Sequence, residues 1–356
     1  MASALLLLLL LLVLLATAAT VPLPAALGPS PQLLEQLGGN VFAMQLVNVS
    51  AVSPEAAQTR VLCWVNTYHA NHDARLHAIK RTWGTKCDKL LFMSDVEDMS
   101  VPTVKIVAPP SHDMLWQKHR EIVRLLVREY KEEDYDWIFK CDDDTFVLME
   151  NLKAYLTSPP IQALAKREPV LLGHRMTLQW WEMQRLFEPF EDYDPEHVAA
   201  MLKVRDETRA KGGLIYTPGG GGYAMNWAYV KTLEANFDEP YCLPNDVVPD
   251  DWAISFCMRH LGVSLLDTRD SEKRERFHQY DPKEVYTKPH DEEAFDHKTF
   301  TSIYQENNWF SDHNGIGWQN GDKCCAPDSV SFHYVKPPMM ELFYEYYYGK
   351  SAATST

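Results

Sequence analysis

No CxxC pair occurs in this chain, which takes away the usual ligand spacing of a thiolate zinc site. Neither GxSxG nor HExxH is present, and no Lys-Ser/Thr follows the glycine run Gly219–Gly222. A nucleophile elbow, a zincin helix and a P-loop are therefore excluded. Positive charge is scarce as well. The 34 lysines and arginines are outnumbered by 49 aspartates and glutamates, and the net charge of −15 argues against nucleic acid as a partner. Internal repeats and coiled-coil heptads are missing too. No charge precedes Glu35, and the apolar run Leu5–Leu15 is too short by itself for a membrane span of about 20 residues.

Immediately after that run, Ala16-Thr17-Ala18 supplies the small residues that suit signal cleavage. The whole uncharged stretch Met1–Val21 is nevertheless long enough to anchor. Residues 1–20 are thus expected to be a signal peptide or a signal anchor, with any membrane contact made through 2–21. Either role sends the remainder into the secretory pathway. Seven cysteines fit that compartment, where disulfides persist. They cannot all pair, and six of them pair in about 15 ways. Asn48 opens an Asn-Val-Ser glycosylation sequon.

Residues 21–58, rich in Pro, Ala, Gln and Ser, read as a stem or linker. From Arg60 the pattern alternates: strands at "RVLCWVNTY", "KLLFMSD", "TVKIVAP" and "DWIFK", with helical spacing in "HDARLHAIKRTW" and "QKHREIVRLLVREYKE". "PVLLGHR", "LIYTPGGGGYAMN" and "VSLLDT" read as further strands. "SVSFHYVKPPMMELFYEYYYG" reads as strand, proline break and helix. Alternating strands and helices predict a mostly parallel α/β sheet with covered faces, whose ligands sit beyond the carboxyl ends of the strands.

Asp142, Asp143 and Asp144 stand at such an end. A solvated turn is the plain explanation of three adjacent aspartates. Between "WIFK" and "FVL", however, an Asp-x-Asp also suits a hard divalent cation held jointly with a diphosphate. Asp250 and Asp251 form a second acidic pair before a helical pattern. An N-cap explains one of them; a carboxylate between Pro249 and Trp252 is also placed to have its pKa raised and act as a general base. The glycine run fits a tight hairpin or a close backbone approach to a bulky ligand.

Together these segments resemble the inverting β1,3-glycosyltransferases of glycosyltransferase family 31. The likeness rests on "IKRTWGTKCDKLLFMSD", "WIFKCDDDTFVLMENLKAYL", "GGGGYAMN", "PDDWAISFCM" and "CCAPDSVSFHYV", spread over about residues 60–348. The vicinal cysteines before "SFHYV" point to the branch that extends O-linked GalNAc with galactose, building core 1 O-glycans. The resemblance implies a single GT-A-like α/β domain over 59–349, followed by a tail at 350–356. It implies transfer from UDP-galactose to the 3-hydroxyl of a GalNAc-type acceptor on glycoprotein, in the Golgi lumen.

The site comes from the same likeness. Asp142, Asp144 and His333 would hold Mn²⁺, and Asp251 would be the base. Thr67, Arg81, Trp83, Asp142 and Asp143 would face UDP. Gly220, Gly221, Tyr223 and Trp309 would wall the donor and acceptor. Cys63–Cys87, Cys242–Cys257 and Cys324–Cys325 would be bridged, leaving Cys141 as the odd thiol. A homodimer is compatible with all of this.

The chain departs from the family in its missing basic N-terminal tail and in the long, charged segment 178–213. It departs again in "NDVVPDD", whose "PDD" resembles the fringe branch. A fringe-like transferase using UDP-GlcNAc is the enzymatic alternative. A chaperone-like relative without activity and a secreted sugar-binding protein are the alternatives of another class.

Overall fold

A computed structural model describes residues 28–349 except 110, 112–113, 179–194, 211–213, 244–248, 264, 288–294, 297–300 and 303–318. The expected leader, the tail, Trp309 and much of 178–213 lie outside the described residues. In chain order the strands are β1 (Val61–Asn66), β2 (Lys89–Ser94), β3 (Thr103–Lys105), β4 (Trp137–Asp142), β5 (Phe146–Val147), β6 (Leu171–Gly173) and β7 (Met176–Leu178). They continue with β8 (Leu214–Tyr216), β9 (Tyr223–Asn226), β10 (Phe277–His278), β11 (Phe295–Asp296), β12 (Thr301–Ser302) and β13 (Ser331–Phe332).

The main sheet has the order β3-β2-β1-β4-β9-β6. Its first four strands are parallel, and β9 runs antiparallel to both β4 and β6. Alternation along each strand feeds two cores. Leu62, Trp64, Ile138 and Met225 face one, beneath the Leu115–Glu129, Trp227–Ala235 and Asp250–His260 helices. Val61, Val65, Phe139 and Ala224 face the other, beneath Met149–Leu156 and the C-terminal helix Pro337–Tyr348. The expected mostly parallel sheet with helices on both faces is what forms. A small ribbon, β10-β13-β5, lies beside it.

Three expectations are corrected. The stretch expected as a stem is helical at Pro31–Leu37, Asn40–Met44 and Pro54–Gln58, and buries Leu33, Leu37, Met44 and Val47 in the second core. Its Ser-Pro pairs are helix starts rather than linker: Ser30 and Ser53 cap the backbone N–H groups of Leu33 and Ala56, each followed by proline in the first turn. "VSLLDT" makes no strand over 265–268; Thr268 instead donates its hydroxyl to the Gly173 carbonyl at 2.9 Å. The strands flanking the glycine run do not pair with each other, since β8 joins β7 while β9 enters the main sheet.

Candidate active site

Register ends β1, β2 and β4 together, because Asn66 pairs with Met93 on one side and Asp142 on the other. Thr67, Asp95 and the aspartate run thus emerge at one carboxyl edge. Tyr223 opens β9 opposite Lys140 and Gly173, so the glycine run arrives at the same edge from the other direction. The β5–β13 pairing, Phe332 against Phe146, brings His333 to Asp144, with Nε2 3.1 Å from Oδ1. A cavity of about 510 Å³ opens here, lined among others by Thr67, Arg75, Asp95, Lys118, Asp142–Asp144, His333 and Tyr334. A wider hollow of about 810 Å³ lies at the opposite edge, beside Arg60, Trp137 and Asn226, and contains none of the candidate residues.

The three aspartates have different surroundings. Asp143 turns inward and accepts from Thr67 Oγ1 at 2.6 Å, Asn71 Nδ2 at 2.8 Å and Arg75 Nη1 at 2.5 Å. Burial pushes its carboxyl up against those donors. Asp144 is also pushed up by burial, but His333 and then Arg75 outweigh this and hold it below the usual range. Asp142 is a third exposed and pairs with Lys140 Nζ at 3.0 Å. Lys118, inside the cavity, donates to the Thr67 carbonyl, and burial lowers its ammonium to about 8.

On the other side of the glycine run stands Asp251, partly buried at the start of the Asp250–His260 helix. It accepts only backbone N–H groups in the described structure, from Gly219 at 3.3 Å and Trp252 at 2.9 Å. Burial and the neighbouring Asp250 push it up to about 7. Asp250 lies 3.2 Å from His119 Nδ1 and 3.9 Å from Lys140 Nζ, and despite burial it is held low. Lys140 is fully buried between the two acidic clusters; burial works to lower its pKa, but Asp142 and Asp250 raise it above its ordinary value.

The glycine run is the wall between these halves rather than a surface of the cavity. A Cβ at Gly220 would collide with the His333 ring, and one at Gly219 with Lys140 Nζ. Gly221 is held by Gln279 and Ser331, and Gly222 turns at φ 80°. Gly220, Gly221 and Tyr223, expected to face ligand, are buried supports.

Arg81 and Trp83 are also displaced from their expected place. Arg81 pairs with Glu341 on the C-terminal helix, half exposed, and Trp83 fills the second core. Arg75, six residues before it in the chain, is the guanidinium that reaches the aspartates. It lies in the π-turn His72–Leu76, within "HDARLHAIKR", a stretch the sequence marked only as helical.

All three expected disulfides are present, and Cys141 is a buried free thiol whose pKa burial raises. Asn48 is exposed, with Val49 and Ser50 half-buried. No helix among the described residues is long and apolar enough to cross a membrane.

No three His, Cys, Asp or Glu side chains among the described residues converge as a metal cage by themselves. Asp144 and His333 do offer a carboxylate oxygen and an imidazole nitrogen side by side at the cavity wall. That donor set fits a hard divalent ion that completes its shell with water and phosphate oxygens.

The Fringe-like family matches residues 57–319, about three quarters of the chain. A glycoprotein-N-acetylgalactosamine 3-beta-galactosyltransferase 1 from Xenopus laevis is 27% identical over 310 residues, covering 87% of this chain and 71% of its own. A human beta-1,3-glucosyltransferase is 24% identical over 201 residues, or 56% of this chain, and its mouse counterpart is 22% identical over the same length. The aligned region spans 33% of the length of each of those two.

Proposed function

Because this chain belongs to the Fringe-like family, we propose that it transfers galactose, with inversion, from UDP-galactose to the 3-hydroxyl of a GalNAc-type acceptor on glycoprotein. One observation carries the reading. A single sheet edge holds the Asp144–His333 pair on one side of the glycine run and the proton-retaining Asp251 on the other. In-line displacement needs charge stabilisation behind the leaving group and a base in front of the anomeric carbon.

In this scheme the cavity beside Asp142–Asp144 takes the UDP moiety. Asp144 and His333 would hold Mn²⁺, which when bound lends Lewis-acid charge to the departing diphosphate. Arg75 and Lys118 add positive charge along the same wall. Asp251 removes the proton of the acceptor hydroxyl, whose oxygen attacks from the face opposite UDP. An α-linked donor then yields a β-linkage. Galactose onto GalNAc is favoured by the breadth of the similarity to the frog enzyme, which covers 87% of the chain against 56% for the glucosyltransferases. A glucose or GlcNAc donor is the second reading, favoured by those glucosyltransferase matches and by the family's name. Action in the Golgi lumen, with Asn48 glycosylated, belongs to the same proposal.

The test offers purified protein UDP-galactose, UDP-glucose and UDP-GlcNAc against GalNAc- and fucose-peptides, with Mn²⁺ or EDTA. Mn²⁺-dependent transfer of galactose to GalNAc is expected. Transfer from another donor moves the assignment to the second reading, and failure to bind UDP removes the enzyme.

A further inference from the structure

Adjacent carboxylates at one helix start, Asp250 and Asp251, have been given opposite surroundings. Asp250 is anchored from two separate elements. His119, on the Leu115–Glu129 helix, sits against Trp64 and Trp116 with ring centroids 4.8 and 5.7 Å away. Its Nε2 is buried without a partner, so the ring carries one proton, on Nδ1, and donates it toward Asp250. Burial lowers the pKa of that imidazole, against the pull of Asp250. The charge that offsets Asp250 is supplied from β4 by Lys140. Asp251 pairs with no cation among the described residues.

We propose that Asp250, pinned by His119 and Lys140, is a positioning residue that holds a second negative charge beside Asp251 and, together with the burial of Asp251, tunes it as the base. The proposal rests on the reading of Asp251 as the base. Charged or titratable groups facing the pair are Lys140 and Asp142 from β4, His119 from its helix and Tyr223 from β9. Among the described residues facing the pair only Lys140 is a cation, and it lies on the Asp250 side. Two carboxylates whose environments drive them apart are the arrangement by which one remains charged while the other works near neutral pH.

The experiment is a carbon-13 NMR titration of the aspartate carboxyls in the whole protein, with the Asp251 signal identified by its loss in Asp251→Asn. In Asp250→Asn the Asp251 midpoint should fall by about one to two pH units, the effect of removing a nearby like charge. Asp250→Glu should restore it. Should Asp250→Asn fail to fold, His119→Phe carries the test. Without the donor the Asp250 charge is held by Lys140 alone and is less secure, so the Asp251 midpoint falls too, by less than in Asp250→Asn. A midpoint that stays in place in the folded variants overturns the proposal. The pH profile of transfer, measured alongside, speaks separately to the base: a profile that ignores a shifted Asp251 midpoint removes Asp251 from the reaction.

Discussion

The two acidic clusters at the carboxyl edge are built from the same residue type and behave in opposite ways. At the end of β4, Asp144 lies between Arg75 and His333, and its charge is secured. At the start of the Asp250–His260 helix, Asp251 has only backbone donors among the described residues, and burial and the neighbouring carboxylate push it up to about 7. A secured carboxylate is a ligand or an electrostatic clamp; one that exchanges a proton near pH 7 is a base. Lys140, buried between them, holds Asp142 on one side and Asp250 on the other, so the clusters are neighbours in one electrostatic unit.

The sharpest way to break this division is at Asp251. Asp251→Asn should lower kcat by roughly 10²–10⁴-fold, the scale of a lost general base, while calorimetry finds UDP affinity close to wild type. Equal loss of both would erase the contrast. Asp144→Ala should show the reverse order, with Mn²⁺-dependent UDP binding abolished in the same titration and turnover lost as a consequence.

The pH dependence sharpens the comparison further. In the proposed reaction Asp251 works as the carboxylate, present above its raised value of about 7 and lost as pH falls through it. kcat/KM should therefore drop by about tenfold per unit below pH 7. Asp144, held low, contributes no limb in that window. A profile flat from pH 8 to 5 would mean that no group like Asp251 gates transfer.

The wall between the clusters predicts a smaller effect. In Gly220→Ala the new Cβ strikes His333, and thermal denaturation should register a loss of about 1–3 kcal/mol from overpacking. UDP binding should weaken because His333 is displaced. Smallest of all is Arg81→Ala. It removes a half-exposed pair with Glu341, is worth about 0–1 kcal/mol, and should leave UDP binding unchanged.

Much of the first cluster was legible in the sequence. An apolar strand running into three aspartates announces a strand end, and the periodic "QKHREIVRLLVREYKE" gives the covering helix, observed at Leu115–Glu129. The second cluster was legible as residues but not as chemistry. From the residues alone an N-cap was the readier explanation of the pair, yet the cap position is Pro249 and both aspartates lie in the first turn; the surroundings that set them apart, His119 and Lys140, come from elements far away in the chain. Lys140 itself read only as the last residue of a buried strand; its carboxylate 110 positions later cannot be seen from local pattern. Arg81 was expected from the family likeness rather than from helical spacing; the arginine that reaches the aspartates is Arg75, in the π-turn His72–Leu76, which no local pattern singled out.

The division of labour between the two clusters is tested most directly by the anomeric configuration of the product. Proton NMR of the disaccharide-peptide made from UDP-galactose should show a β-linkage, formed with Mn²⁺ and lost with EDTA. An α-linked product would mean that the acceptor does not attack from the Asp251 side, and would contradict the assignment of base and leaving-group charge to opposite sides of the glycine run.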